Sequence, residues 1–458
     1  MNKRILSLTL LILSIILSGC SFIELPTNLI SKPSSYISKQ KLDTVISLLL
    51  KEGKTLTIAL RDSEKKAIRE IDLDKDGKNE LIVLYKKDDN FYNNYGIMIL
   101  KQNNETWETI NNITFSCKNI DIVEYKDLTG DGKPEILVGV TPSEKSNNTL
   151  FIYSYHRGFY ETLGSIPYTN LKSYDINNDN LDELISLEET STIKDKSFPS
   201  LKVYTFKNLK AEVIDSFDFE KPLVSTHLNV GKASKDVNGI FVNINLDNKY
   251  FYTDLFTLEN GKLNEVLQNE EKKSIKDIKT FQEFHTLEKN LNVNEVFKNT
   301  VKDINNDGIL EIDILRPFEN NLKVYTPSNF NYWYQWNGNK NLKLSYREYT
   351  NAEYKYKISI PLSFGMKFNI LQNVKEEGVL NRVDFFMDDY KDSNNLLFSI
   401  KVYSKASWFS KEKFNSHTKY AILKEDNDKI YIGVINANKL KEDSINLDAI
   451  KNIFRPLE

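Results

Sequence analysis

Asp72-Leu-Asp-Lys-Asp-Gly-Lys-Asn-Glu80 runs directly into the apolar stretch Leu81-Ile-Val-Leu-Tyr85. Oxygen-bearing side chains fall at positions 1, 3, 5 and 9 of this loop, and a glycine at position 6. The same register recurs at Asp127-Leu-Thr-Gly-Asp-Gly-Lys-Pro-Glu135, Asp175-Ile-Asn-Asn-Asp-Asn-Leu-Asp-Glu183 and Asp303-Ile-Asn-Asn-Asp-Gly-Ile-Leu-Glu311. A single Asp/Asn/Gly cluster would read as an ordinary turn. Four in one register, each with an apolar residue at position 2 (Leu73, Leu128, Ile176, Ile304), point to a repeated unit. Each loop leads into a short apolar run such as Ile136-Leu-Val-Gly-Val140 or Leu184-Ile-Ser-Leu187, which reads as strand.

Position by position, the loops suit a hard divalent cation. Calcium takes six to eight oxygen ligands at about 2.3–2.6 Å. The expected set in loop one is Asp72, Asp74, Asp76 and Glu80 with the backbone carbonyl of Lys78. Loop two offers Asp127, Thr129, Asp131, Lys133 (carbonyl) and Glu135; loop three Asp175, Asn177, Asp179, Leu181 (carbonyl) and Glu183; loop four Asp303, Asn305, Asp307, Ile309 (carbonyl) and Glu311. That makes up to four structural calcium ions. Position 6 favours positive φ, which Gly77, Gly132 and Gly308 adopt without penalty. Asn180 stands there in loop three, and Asn is among the few other residues that tolerate that region. Loop one carries four carboxylates and the others three, so it is expected to bind tightest. Loop three, without glycine, is expected to bind weakest. EF-hand and dockerin loops are the rivals. An EF-hand needs a bidentate Glu at position 12 and flanking helices. Here position 12 is Val83, Val138, Ser186 or Ile314.

The loops begin at 72, 127, 175 and 303, so the spacings are 55, 48 and 128. The last spacing is about two repeats and predicts a unit whose loop has degenerated. Paired strand patterns support this: Tyr95–Leu100 with Thr106–Thr109, Leu150–Phe159, Leu201–Phe206 with Glu212–Ile214, Tyr252–Leu263 and Asn331–Gly338. The fourth pair belongs to the missing unit. Its loop region, Gly231 to Gly239, has no carboxylate set and is expected to bind no calcium. Units of this length with several short strands are the signature of propeller blades. On these loops and strands the chain resembles the FG-GAP (VCBS) repeats of integrin α-subunits and many bacterial surface proteins. The integrin-type loop usually ends in Asp, whereas these end in Glu80, Glu135, Glu183 and Glu311. The resemblance implies a mainly β fold, a β-propeller of about five blades (range five to seven) over 39–348. Lys41–Leu50 fits either a closing strand or a short helix.

From about Tyr354 the pattern changes. Tyr354–Pro361, Val383–Phe386, Leu396–Tyr403 and Lys429–Val434 alternate like strands, and Leu447–Phe454 like a helix. A small α+β domain is expected over 349–458. Its Ile-Pro-x-x-Phe start, its Leu-Phe-x-Ile-x-Val run and Trp408 are similar to PsbP/Mog1-like domains, a resemblance that implies no activity.

The chain has 458 residues, 40% hydrophobic and 12% aromatic, enough for two or three domains with their own cores. At its start, Lys3 and Arg4 precede the apolar run Ile5–Leu17 and then Leu17-Ser-Gly-Cys20. The run is too short to span a bilayer and has the form of a secretory signal. Leu-Ser-Gly-Cys resembles the lipobox of bacterial lipoproteins. That resemblance implies a signal peptide at 1–19 and a diacylglyceryl (palmitate-type) group on Cys20, an anchor stable with two acyl chains. Residues 20–38, with Pro26, Pro33 and several Ser, read as a tether. The expected location is the cell membrane, lipid-anchored on the extracytoplasmic face. With Cys20 modified, only Cys117 remains, and no intrachain disulfide is available. The net charge of −3 and the absence of a basic run interleaved with aromatics speak against nucleic acid.

No Gly-x-Ser-x-Gly elbow, His-Glu-x-x-His motif or phosphate-binding glycine loop occurs. His156, His227, His285 and His417 are scattered, and the clustered acids belong to the loops. The expectation is therefore no enzymatic activity. The chain reads as an interaction scaffold for a protein or cell-envelope ligand. Alternative readings are an envelope hydrolase built on the same scaffold, or an accessory subunit in envelope assembly or sporulation. Tyr332, Tyr334 and Trp336 alternate along one strand, which places them on one face, as core or as an aromatic platform.

Overall fold

The computed structural model describes residues 43–45, 47–48, 53–62, 64–88, 93–104, 106–142, 147–156, 159–193, 196–219, 225–246, 250–267, 282–283, 300–314, 330–339, 341–364, 368–387, 390–410, 418–436 and 445–457. The signal, Cys20 and the tether lie outside the described residues. Among the described residues no helix is long and apolar enough to cross a membrane. The chain divides into two compact units, residues 1–120 and 121–458. It is mainly β, built from successive antiparallel sheets of four or more strands.

In the first unit, β1 (Thr55–Leu56) and β2 (Ile68–Ile71) both pair with β3 (Glu80–Asp88). β3 pairs with β4 (Asn93–Asn103), and β4 with β5 (Thr106–Ser116). The core gathers Ile68, Leu81, Val83, Tyr85, Met98 and Leu100. Val45 joins them; within the Lys41–Leu50 segment, residues 43–45 and 47–48 are helical.

The second unit continues the pattern. β6 (Asn119–Lys126), β7 (Glu135–Thr141), β8 (Asn148–His156) and β9 (Phe159–Tyr168) form one meander. β10 (Asn170–Tyr174), β11 (Glu183–Ile193), β12 (Lys196–Thr205) and β13 (Glu212–Asp218) form the next. β14 (Ser225–Lys232), β15 (Asn238–Asn245), β16 (Tyr250–Glu259) and β17 (Lys262–Glu265) form a third, with β18 (Gln282–Glu283) beside β16. This is the unit expected in the 128-residue gap. A fourth sheet runs β19 (Val301–Lys302), β20 (Glu311–Asp313), β21 (Phe330–Trp336), β22 (Leu342–Asn351) and β23 (Tyr356–Ser359). The last has the order β24-β25-β26-β28-β27, from β24 (Phe368–Leu371), β25 (Asn381–Met387), β26 (Leu396–Ser404), β27 (Thr418–Glu425) and β28 (Lys429–Asn436). Helices α1 (Lys405–Ser410) and α2 (Leu447–Ile453) accompany it, and β29 (Phe454–Pro456) returns to pair with β23. The expected division at 348/349 falls inside β22.

Burial explains the sequence pattern. β7 and β15 are buried along almost their whole length, with both faces covered, so they read as unbroken apolar runs. β13, farther out in its sheet, alternates between exposed and half-buried residues. Consecutive sheets share cores. Leu137, Ile152 and Tyr168 meet Leu184 and Phe206; Leu187 and Val203 meet Ile240 and Phe256; Phe241 and Leu255 meet Ile312 and Trp336. Tyr332 and Tyr349 meet Phe368 and Phe385 of the last sheet. The expectation that Tyr332, Tyr334 and Trp336 act together is corrected by their packing into two different cores; β22 carries a bulge opposite Trp333 and Tyr334. The extra residue is Ser345 of β22, so β21 keeps its own alternation: Tyr332 and Tyr334 join the core with β24 and β25, and Trp336 joins that with β15 and β16.

Candidate metal centre

Each acidic loop is the connection between the first and second strands of a sheet: β2–β3, β6–β7, β10–β11 and β19–β20. Position 9 is the first residue of the second strand. Glu80, Glu135, Glu183 and Glu311 are all at most 1% exposed, although carboxylates rarely enter a core unpaired. Their shared partner explains it. One carboxylate oxygen accepts from the position 2 amide in every loop: Leu73 at 2.9 Å, Leu128 at 2.8 Å, Ile176 at 3.2 Å and Ile304 at 3.0 Å. The position 1 aspartate accepts from the position 6 amide: Gly77 at 3.1 Å, and Gly132, Asn180 and Gly308 at 2.9 Å. The position 5 aspartate accepts from the position 7 amide, from Lys78, Lys133, Leu181 and Ile309, at 2.8–3.0 Å. The same three bonds therefore close all four loops.

Positive φ at position 6 occurs in all four loops, including Asn180 at 69°. Position 4 adopts it as well: Lys75 at 60°, Gly130 at 77°, Asn178 at 60° and Asn306 at 61°. Three of these four are Gly or Asn, a signal that was present in the sequence and went unused. Lys75 adopts the left-handed region without that help.

The loops differ in what surrounds their oxygens. Among the described residues, loop one alone brings three carboxylates, Asp72, Asp74 and Glu80, within 4.8 Å of one another. Asp72 Oδ1 and Asp74 Oδ1 are buried there without a hydrogen-bond partner. Buried bare oxygens of this kind, in an all-oxygen donor set, fit a hard divalent cation. In loop two Glu135 is met by Ser154 Oγ at 2.9 Å and Thr129 Oγ1 at 3.3 Å. In loop three Asn177 donates to Glu183 at 2.8 Å, and Lys207 pairs with Asp179. In loop four Gln335 Nε2 bridges Asp307 at 2.7 Å and Glu311 at 2.8 Å.

Burial raises the carboxyl pKa of Glu80, Glu135 and Glu311 above the ordinary range, with nearby loop aspartates adding to it. Glu183 is raised to about 7 by burial and by the charges of Asp179 and Asp175. Without a cation, then, these glutamates resist ionisation; a bound cation would reverse that balance.

The fifth connection, between β14 and β15, is shorter. Lys232 pairs with Asn238, leaving five residues between, whereas Ile71 pairs with Glu80 across eight. It closes through backbone alone, Ala233 N–H and Ser234 N–H donating to the Val237 carbonyl at 2.9 and 3.1 Å.

No family model matches the chain, and no curated protein sequence matches it. Solved structures similar to it include the exotype rhamnogalacturonan lyase YesX, at 12% identity over 50% of this chain and 48% of that chain, with a TM-score of 0.29. Rhamnogalacturonan lyase YesW has 11% identity over 85% and 76%, with a TM-score of 0.31. Sqt1 of Saccharomyces cerevisiae has 8% identity over 68% and 82%, with a TM-score of 0.31. The chain spans about half the length of YesX. The expectation of no enzymatic activity is corrected: missing catalytic motifs do not by themselves exclude activity, and rhamnogalacturonan lyases stand among the similar structures. At these TM-scores the likeness assigns neither a reaction nor a substrate to this chain.

Proposed function

We propose that this chain is a calcium-binding repeat protein of the FG-GAP/VCBS type, anchored outside the cytoplasmic membrane by a lipid on Cys20. In this reading the sheets that begin at β1, β6, β10, β14 and β19 are five blades of a β-propeller, and the region after β22 is a small α+β domain. The propeller is a scaffold that offers its connecting loops to a protein or cell-envelope ligand, since loops on a rigid scaffold are where recognition residues concentrate.

The observation that carries the calcium reading is the pair of buried, unbonded oxygens in loop one, Asp72 Oδ1 and Asp74 Oδ1, within a loop built four times on one plan. Asp72, Asp74, Asp76 and Glu80 would hold the ion in loop one, and their counterparts in loops two to four. Calcium would supply a fixed divalent charge that compensates the buried glutamate. Sites of this kind have affinities of about 10⁻⁴–10⁻³ M outside the cell. An ion at 1,000 times its dissociation constant adds about 4 kcal/mol to stability, and near that constant only a fraction of 1 kcal/mol. Melting curves in millimolar calcium and in EDTA test this: calcium raises the melting temperature, and identical curves refute the reading. For the anchor, Cys20→Ser should abolish incorporation of a palmitate analogue and release the chain from the membrane fraction. Crosslinking on intact cells would capture the ligand.

A further inference from the structure

Lys101 of β4 stands next to the Leu81–Leu100 pair, across from Glu80. Its ammonium pairs with Asp74, with Asp76 at 2.7 Å and with Glu80 at 3.3 Å. Those side chains fill positions 3, 5 and 9, three of the four carboxylates expected to bind an ion in loop one. The corresponding residue on the third strand is neutral elsewhere: Ser154 beside the Ile136–Tyr153 pair, Thr205 beside Leu184–Tyr204 and Gln335 beside Ile312–Tyr334. Counting only the expected ligand carboxylates and Lys101, loop one has a net charge of −3, the same as the three ligand carboxylates of loop two or loop four. Lys207 approaches loop three, but it touches Asp179 alone and its side chain is 49% exposed. The Lys101 side chain is 29% exposed.

We propose that Lys101 is the built-in counter-cation of loop one, holding Asp74, Asp76 and Glu80 together without metal, so that a divalent ion must displace it. This rests on the calcium reading above and reverses the order expected from counting carboxylates. An ammonium and a divalent ion on the same oxygens repel each other. Moving the lysine out therefore subtracts from the affinity of loop one, and loops two and four, facing Ser154 and Gln335, fill first.

The test uses the purified chain with K101Q, which keeps a polar stem and removes the charge, and K101R, which keeps the charge. In EDTA, K101Q should unfold at lower denaturant than the parent, K101R should resemble the parent, and millimolar calcium should erase the K101Q deficit. Calorimetric titration should show one K101Q site tightened about tenfold, equivalent to about 1.4 kcal/mol of competing pairing. D131N should remove a different site, one that fills earlier in the parent. If K101Q matches the parent both in EDTA and in its calcium isotherm, the lysine proposal fails while parental binding still supports the calcium reading. If K101Q is destabilised in EDTA but neither protein takes up calcium, the calcium reading fails and displacement falls with it. A K101Q chain that stays unfolded in calcium also overturns the proposal, because the ion should replace the ammonium.

Discussion

Glu135 separates the structural role of the loop glutamates from the metal role proposed for them. The side chain is fully buried and accepts from Leu128 N–H at 2.8 Å, Ser154 Oγ at 2.9 Å and Thr129 Oγ1 at 3.3 Å. Glu135→Ala removes the acceptor of all three bonds. Leu128 is 1% exposed, and its amide is fixed by the strand pair it joins. A buried donor left unsatisfied costs about 1–3 kcal/mol. Ser154 is 5% exposed and can rotate toward another acceptor, so it counts at the low end of that range. Together the loss is about 2–4 kcal/mol. At about 2.1 cal/mol/K per residue, for the unit 121–458 unfolding cooperatively, that lowers the melting temperature by roughly 3–6 °C. Glu135→Gln behaves differently. Its carbonyl still accepts from Leu128, and it removes a charge that burial already disfavours. In EDTA it should stay within about 1 kcal/mol of the parent. In calcium, however, it should lose the increment that loop two contributes. Melts of the parent and both variants, each in EDTA and in millimolar calcium, give the six curves needed. Equal losses for the two variants in EDTA would refute the acceptor argument. A full calcium increment in Glu135→Gln would refute Glu135 as a ligand.

Gly139 of β7 leaves no room for a methyl group: a Cβ there would lie 2.0 Å from the Tyr168 hydroxyl and 2.7 Å from Ile122. Tyr168 is itself fixed by Asp121 at 2.5 Å, so Gly139→Ala should cost about 1–3 kcal/mol in denaturant melts, and a neutral result would show that Tyr168 yields freely. Burial and the neighbouring aspartate charges raise the Glu183 carboxyl from 4.5 to about 7, so the folded chain keeps a proton that the unfolded chain releases within that window. The contribution of Glu183 to stability in EDTA therefore falls as pH rises through the window. Parent minus Glu183→Gln should show that slope, calcium should reverse it by requiring the ionised form, and a flat difference would refute it. Burial pushes the Cys117 thiol up to about 11, so a thiol reagent at neutral pH should label it only after denaturation; rapid labelling of the native chain would contradict its placement.

Much of this architecture could be read from the sequence because the loops carry local information. An apolar residue at position 2, an oxygen at position 9 and a turn former between them constrain nine residues without reference to the rest of the chain. The fifth unit could be read from spacing, and β25, β26, β28 and α2 from alternation and helical period. What escaped was long-range or irregular. The bulge in β22 opposite Trp333 and Tyr334 adds one residue, Ser345, and period-two reasoning cannot detect it. Lys101 and Gln335 reach their loops from the third strand, 21 residues beyond Glu80 and 24 beyond Glu311. These offsets change with each hairpin length, so no fixed motif contains them. The sequence count of carboxylates was correct for each loop, but the charge that faces them comes from a strand the motif does not include.

The five equivalent connections are closed in two ways, and the differences bear on where metal matters. The β14–β15 connection is five residues long, and two amides on one carbonyl suffice to close it. An eight-residue loop cannot close so simply, because its chain must turn twice through the left-handed region, at positions 4 and 6. Side chains therefore take over the backbone's role: positions 1, 5 and 9 each hold at least one amide. Those bonds join protein groups alone in every long loop, so the hairpin itself should not depend on calcium. What the ion can add is charge compensation for oxygens left over after the amides are satisfied. Loops two and four spend their spare glutamate oxygen on Ser154 and Gln335, neutral donors that leave the negative charge in place. Loop one already meets an ammonium, but still leaves Asp72 Oδ1 and Asp74 Oδ1 bare. Calcium dependence should thus appear in the stability and pH response of the folded state more than in whether the loops form. An EDTA-treated chain that kept its strand content while losing thermal stability would fit that division of labour, whereas loss of the hairpins themselves would overturn it.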